Sequence, residues 1–133
     1  MADTAAHLVD RVLPEAPVRQ WVLTFPYALR FMLGNDRRLC TRVLGAFRRA
    51  LLGWYRKRGR EWLGFRDGQS GTVTVIQRFN SSLGLSPHLH VLAMDGVYTA
   101  QTETGGPPIR FHALPAPETE EVAGLLRVVV RRT

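Results

Sequence analysis

The chain has 133 residues, of which 45% are hydrophobic and 22% are charged, and its formal net charge is +7. This balance is typical of one globular domain and excludes a disordered chain. No apolar run is long enough for a membrane-spanning helix, and the acidic, proline-containing start excludes a secretory signal peptide. Cys40 is the only cysteine, so no internal disulfide can form, and we expect a cytoplasmic protein.

The first segment of the chain, residues 1–17, is short and polar, and it is predicted to be a lead-in to a core domain over 18–133. The core domain begins with the apolar and β-branched run VRQWVLTF. This run starts at Val18, is ended by Pro26, and predicts a first strand.

A long helix is predicted after this strand, with Asn35 or Asp36 as its cap. Apolar residues recur there at three- and four-residue spacing and form one stripe: Leu39, Cys40, Val43, Leu44, Phe47, Leu51 and Trp54. The opposite face is predicted to carry cations: Arg37, Arg38, Arg42, Arg48, Arg49, Arg56, Lys57, Arg58 and Arg60. Such a run is usually a solvated face, but the near absence of acids favours contact with phosphates, and Arg48, Arg49 and Arg56 are our DNA-binding candidates.

The second half of the chain is rich in strand patterns. Four further strands are predicted, over 72–79, 88–94, 97–100 and 109–114. Asp95-Gly96 is predicted to be a hairpin turn. Residues 117–132 are predicted to form a helix, because acids lie in its first turn and arginines at its end. This order of elements predicts an α+β fold with a central antiparallel sheet and flanking helices.

The basic residues are 17 arginines and one lysine, Lys57. Arginine suits phosphate and stacks on bases, so this choice favours a nucleic-acid partner. A GC-rich genome would give the same bias, and composition leaves both explanations open.

The most informative tripeptide is His88-Leu89-His90. Residues two apart in a strand point to the same face, so both imidazoles project together and form a ready pair of metal ligands. The alternative is two ordinary polar residues at the entrance of a strand, and the spacing alone does not separate the two.

The string SPHLHVLAMDGVY around these histidines resembles the second motif of the HUH endonucleases. Within that superfamily it is most similar to the transposases of rolling-circle insertion sequences, the two-tyrosine group and its single-tyrosine common-region relatives. The resemblance extends to DTAAHLVDRVLPEAPVRQWVLTFPYALR, VTVIQRFNSSLGLSPHLH and RFHALPAPETEEVAGLL, and so spans nearly the whole chain.

The resemblance implies an HUH-type, RNA-recognition-like (ferredoxin-like) sheet, with WVLTFP as the strand beside the histidines. It implies that His88 and His90 hold Mg²⁺ or Mn²⁺, which polarises the scissile phosphate of single-stranded DNA at transposon ends. A tyrosine on a later helix would attack that phosphate during DNA transposition, a form of DNA recombination. Because imidazole is an unusual ligand for Mg²⁺, Mn²⁺ is expected to bind at least as well.

A third metal ligand is expected from a neighbouring strand, and Gln77 is the candidate. By alternation Gln77 shares its face with Val73, Val75 and Phe79, which look like core, so a bulge or the opposite facing is required. A structural role for Gln77 stays open, and His112 is the alternative ligand.

Arg78, next to Gln77 at the end of the second strand, and Asn80, just after that strand, are candidates for contact with the DNA backbone. The alternative is a strand end whose charge is solvated. Three aromatic residues near the basic face, Trp54, Trp62 and Phe65, could stack on bases. Core packing is the alternative for all three, and Trp54 fits the apolar stripe.

The tyrosines of the chain are Tyr27, Tyr55 and Tyr98, and none lies in a predicted helix after the histidine pair. We therefore expect a transposase core that is incomplete at its C-terminus, a fragment or a decayed copy, without its nucleophile. The family's cysteine-rich zinc segment is also absent. The alternative function is a non-catalytic module that binds single-stranded nucleic acid, since the strand order also resembles RNA-recognition folds.

Overall fold

The structure is a computed structural model that describes residues 16–79, 85–100 and 109–133, and for 77–79 and 85–86 it describes the backbone alone. The lead-in segment and Asn80 therefore lie outside the described residues. The strands are β1 (Val18–Leu23), β2 (Thr72–Phe79), β3 (Leu85–Met94), β4 (Gly96–Ala100) and β5 (Ile109–Ala113), and the helices are α1 (Tyr27–Asn35), α2 (Arg37–Leu63) and α3 (Thr119–Arg132).

The strands form two antiparallel sheets, one of three strands in the order β1-β3-β2 and one that pairs β4 with β5. β3 is the central strand of the larger sheet and begins earlier than predicted, so that it includes Pro87. On the β1 side the pairing ends at Leu23 opposite Leu89. Pro87 is tolerated in a central strand because β1 does not reach it, and no hydrogen bond to β1 needs its missing N–H.

The hydrophobic core lies between one face of this sheet and the helices. Leu89, Val91 and Ala93 of β3 are completely buried and cluster with side chains of α2 and α3. The apolar stripe predicted on α2 supplies much of this core, including Val43 and Phe47. The prediction of an α+β fold with a central antiparallel sheet and flanking helices is confirmed.

The long helix α2 begins where one of the two predicted caps stands, because the Asp36 carboxylate accepts the Leu39 N–H at 3.1 Å. It ends at Gly64, whose φ of 74° is the left-handed conformation that favours glycine. Among the described helices, none combines the length and the apolar character needed to cross a bilayer.

One of the cations predicted on the exposed face of α2 is instead buried. The Arg58 guanidinium forms an ion pair with Glu121 of α3 and lies 4.8 and 5.1 Å from the ring centroids of Trp54 and Trp62. The prediction for Arg58 was wrong because its position lies closer to the buried stripe than to the solvated face. Arg58 therefore holds two helices together and is not available to phosphates.

The predicted hairpin at Asp95-Gly96 is also wrong, because β3 and β4 do not pair with each other. Asp95 is buried, and its carboxylate accepts hydrogen bonds from the Arg19 guanidinium at 2.9 to 3.1 Å and from the Tyr55 hydroxyl at 2.8 Å. Its backbone N–H donates to the carbonyl of Pro17 at 2.8 Å. The chain passes through Asp95 from one sheet into the other, and this residue links both sheets to α2.

Candidate functional site

The two histidines of β3 lie on the face of the sheet opposite to the core. Leu89 and Val91, which alternate with them, are completely buried, whereas His88 and His90 are half-buried. Their ring centroids are 6.3 Å apart, and their planes meet at 71°. The alternation thus does what the sequence predicted: it anchors the strand through one face and presents two imidazoles on the other.

Position 77 is paired with the histidine strand across the β2–β3 ladder. Gln77 is the Cα partner of His88, and Val75 is the partner of His90. Directly paired positions belong to the same face of an antiparallel sheet, so the face that Gln77 shares with Val75 is the histidine face. By backbone register, position 77 therefore belongs to the histidine face, and the bulge in the sheet lies just beyond it, before Phe79. The side chain of Gln77 lies outside the described part of the structure.

A glutamine of β1 contacts one of the histidines directly. The Gln20 side-chain amide lies 2.8 Å from Nδ1 of His90 in a hydrogen bond. Gln20 is the Cα partner of Leu92, so it stands diagonally across the ladder from His90 on the same face. In this contact the Gln20 amide N–H donates to Nδ1, which places the proton of the neutral His90 ring on Nε2. If the amide turned so that its oxygen accepted from Nδ1–H, Nε2 would become the nitrogen that the ring offers to a ligand. Gln20 was not among the predicted site residues, because in the run VRQWVL nothing distinguishes it from its polar neighbour Arg19, and only the register with β3 places it beside His90.

His112, the alternative third ligand, belongs to the smaller sheet. Its Nε2 is 2.9 Å from the Thr99 hydroxyl, and its ring lies 4.3 Å from that of Phe65. Within residues 16–79, 85–100 and 109–133 no group of three or more His, Cys, Asp or Glu side chains could hold a metal ion.

A family model described as "Putative transposase" matches residues 71–126. This segment of the chain is similar to transposases. The match covers less than half of the chain, runs from β2 into α3, and includes both histidines, and it supports a function related to DNA transposition. No curated protein and no solved structure matches the chain.

The transposase-like segment, residues 71–126, contains one of the three tyrosines, Tyr98. Its hydroxyl is buried, its ring packs 4.9 Å from that of Phe111, and burial raises the pKa of the phenol. Tyr55 is completely enclosed, and burial is the main reason why its pKa is raised. Tyr27, at the start of α1, is exposed to solvent. Neither Tyr55 nor Tyr98 presents a hydroxyl that an external phosphate could reach.

The proposed DNA contacts are divided between two sides of the molecule. Arg48, Arg49 and Arg56 are exposed on α2, the helix that covers the core face of the sheet. Arg78 stands at the bulge next to Gln77, at the same end of the sheet as His88, with its side chain outside the described residues. The arginines of α2 and the histidines therefore do not form one compact site.

Of the three aromatic residues near the basic face, two pack against the core and one is exposed. Trp54 packs edge-to-face against Trp21 and Tyr55, with ring centroids 5.5 and 4.8 Å apart. Phe65 is half-buried against the core. Trp62 is exposed and covers Arg58. Trp54 and Phe65 thus have the packing role that the alternative interpretation gave them.

Proposed function

We propose that this chain is the core of an HUH-type, rolling-circle transposase, in which His88 and His90 bind a divalent cation beside single-stranded DNA. The proposal is carried by one observation: two imidazoles leave the open face of the central strand side by side, 6.3 Å apart between centroids. The similarity of residues 71–126 to transposases supports the coarser part of the proposal, a function related to DNA transposition. Mn²⁺ or Mg²⁺ is the expected cation, with Mn²⁺ favoured by imidazole ligands.

The donor set fits such an ion. With the Gln20 amide turned so that its oxygen accepts from Nδ1–H, Nε2 of His90 would be free for the ion, the arrangement usual for metal-binding histidines. Gln77, paired with His88, would add the amide oxygen that a hard cation prefers. Water and the DNA phosphate would complete the coordination shell.

When bound, the cation would polarise the scissile phosphate as a Lewis acid and position it. Other residues of the chain would hold the two imidazoles in place for the ion. Leu89 and Val91 fix β3 in the core, so the two imidazoles have a rigid base. Gln20 restrains the His90 ring, so the change needed when the ion enters is a turn of the Gln20 amide and a shift of the ring proton to Nδ1.

The metal site is tested by calorimetric titration of Mn²⁺ into the protein and its variants. The double variant His88→Ala/His90→Ala is expected to lose measurable binding, and Gln20→Ala to weaken it about 10- to 100-fold because the ring is no longer oriented. His112→Ala is the matched control and keeps the wild-type affinity, since His112 belongs to the other sheet. Wild-type protein that takes up no Mn²⁺, or equal loss in the His112 variant, would contradict the proposal.

The alternative, a non-catalytic module for single-stranded nucleic acid, makes a different prediction in one further measurement. If EDTA and His88→Ala leave the affinity for single-stranded DNA unchanged while salt weakens it steeply, the cation has no part in binding. The exposed arginines of α2 favour such a salt-dependent component.

Strand cleavage by this chain is expected to be absent, because Tyr55 and the Tyr98 hydroxyl are buried. The measurement is incubation of labelled single-stranded DNA with protein and Mn²⁺, followed by a denaturing gel. Neither a shortened strand nor a covalent protein–DNA adduct should form. Tyr27→Phe is the control for the exposed phenol: an adduct that forms with wild type and disappears in this variant would identify a nucleophile in the chain.

A further inference from the structure

The short helix α1, which the sequence analysis did not predict, presents two aromatic rings to solvent. Tyr27 is 86% exposed and Phe31 is 74% exposed. They are four residues apart, so they lie on the same face of the helix one turn from each other. Leu33, which is buried, holds the other side of α1 against the core. Single exposed apolar residues are ordinary, but two large rings on adjacent turns form a patch.

The surroundings of this patch are cationic. The Arg30 guanidinium lies 6.0 Å from the ring centroid of Tyr27, and its Nε donates to the carbonyl of Phe25 at 3.1 Å. Arg37 and Arg38 are exposed immediately after α1. No acid occurs within α1, and the first acid that follows it in sequence, Asp36, accepts the Leu39 N–H at the start of α2.

The patch begins at the histidine end of the larger sheet. Leu23, the last residue of β1, is paired with Leu89, the neighbour of His88. Only three residues separate Leu23 from Tyr27, and α1 contacts β3. The first residues of α1 therefore lie near the histidine end of the larger sheet.

We propose that Tyr27 and Phe31 form a base-stacking platform for single-stranded DNA, with Arg30, Arg37 and Arg38 pairing with its phosphates. The combination of exposed rings and arginines, without acids, matches a polymer that has flat apolar bases and one negative charge per nucleotide. The inference rests on the proposed function for its substrate class, but not on the metal site. It adds a binding surface to the DNA-binding candidates named from the sequence, which are Arg48, Arg49, Arg56, Arg78 and Asn80.

The test is fluorescence anisotropy in EDTA, with labelled oligothymidylate and an abasic oligonucleotide of the same length. Wild-type protein should bind the oligothymidylate more tightly, because only it has bases to stack. Tyr27→Ala/Phe31→Ala is expected to weaken oligothymidylate binding by about 10- to 100-fold, since stacking is lost at both rings. Its affinity for the abasic strand should stay that of the wild type, because the phosphate contacts remain.

Two further variants separate stacking from other causes. Tyr27→Trp/Phe31→Trp should restore oligothymidylate binding, because tryptophan also stacks. Val130→Ala, at a residue of α3 that is 66% exposed, is the matched control and should change nothing.

Equal weakening of both oligonucleotides by the alanine variant would overturn the platform. So would unchanged DNA binding together with loss of a wild-type dimer in sedimentation, which would make the patch an interface between two copies. The Mn²⁺ titration of the alanine variant keeps the two proposals apart. The platform can fail while Mn²⁺ binding persists, and absence of Mn²⁺ binding leaves the anisotropy result in EDTA unaffected.

Discussion

Replacement of Asp95 by alanine is expected to lower the free energy of unfolding by about 3 kcal/mol, because it breaks a buried ion pair from one side. In the native protein its carboxylate accepts from Arg19 and Tyr55, and the hydrogen bond to Asp95 raises the pKa of the Arg19 guanidinium. Without Asp95 the Tyr55 hydroxyl has lost its acceptor in a fully enclosed position. Because Arg19 is about one third exposed, water can solvate it, which keeps the cost near the lower end of the range.

Urea denaturation measures this loss as a lower midpoint at an unchanged slope. Tyr55→Phe should cost about 1–2 kcal/mol, because Asp95 keeps Arg19 while the Trp21 N–H loses its acceptor. Asp67→Ala is the control at an exposed aspartate and should lie within about 0.5 kcal/mol of the wild type. An Asp95 variant as stable as the Asp67 variant would show that the network contributes no stability.

Local signals in the sequence were sufficient for the long elements of the fold. The apolar stripe of α2 has the helical period over several turns, and Asp36 and Gly64 stand where a helix begins and ends. The β-branched residues of β2 gave its bounds without error. In α2 local propensity and tertiary burial demand the same residue types, so the pattern could be interpreted without knowing the partners.

The short helix α1 could not be predicted in this way. It has nine residues after Pro26, and Leu33 is buried while the larger Tyr27 and Phe31 are exposed. An apolar residue that faces solvent removes the periodicity by which an amphipathic helix is recognised. The exposure of Tyr27 and Phe31 thus explains both why α1 was not predicted and why it has a candidate binding surface.

In the candidate site, too, the part that depends on one strand could be predicted and the part that depends on strand pairing could not. His88 and His90 share one strand, so their common face follows from alternation alone. Gln20 and position 77 lie beside the histidines because β1 and β2 both pair with β3, and the register of such a pairing cannot be deduced from one strand alone. Val73 and Val75 suggested that the face of Gln77 is core, but the sheet turns its other face to the helices and leaves these valines half-buried.

Gly96 follows Asp95, and its replacement by alanine is expected to cost about 3 kcal/mol, the upper end for overpacking. A Cβ atom at this position would lie 2.1 Å from the carbonyl oxygen of His112 and 2.7 Å from the ring of Phe111. The ring could move, but the carbonyl belongs to the backbone of β5, which pairs with β4. Relief of the clash would therefore require the two strands to separate.

The measurement is again urea denaturation, with Gly53→Ala as the matched control. A Cβ at Gly53 would meet nothing within 4 Å, and Gly53 lies inside α2. The same substitution should there stabilise the protein by about 0.5–1 kcal/mol, because alanine is the better helix former. The two variants thus differ in sign for one chemical change, since the added methyl group meets a strand backbone in one case and open space in the other. A Gly96 variant with wild-type stability would mean that β4 and β5 approach each other less closely at this junction.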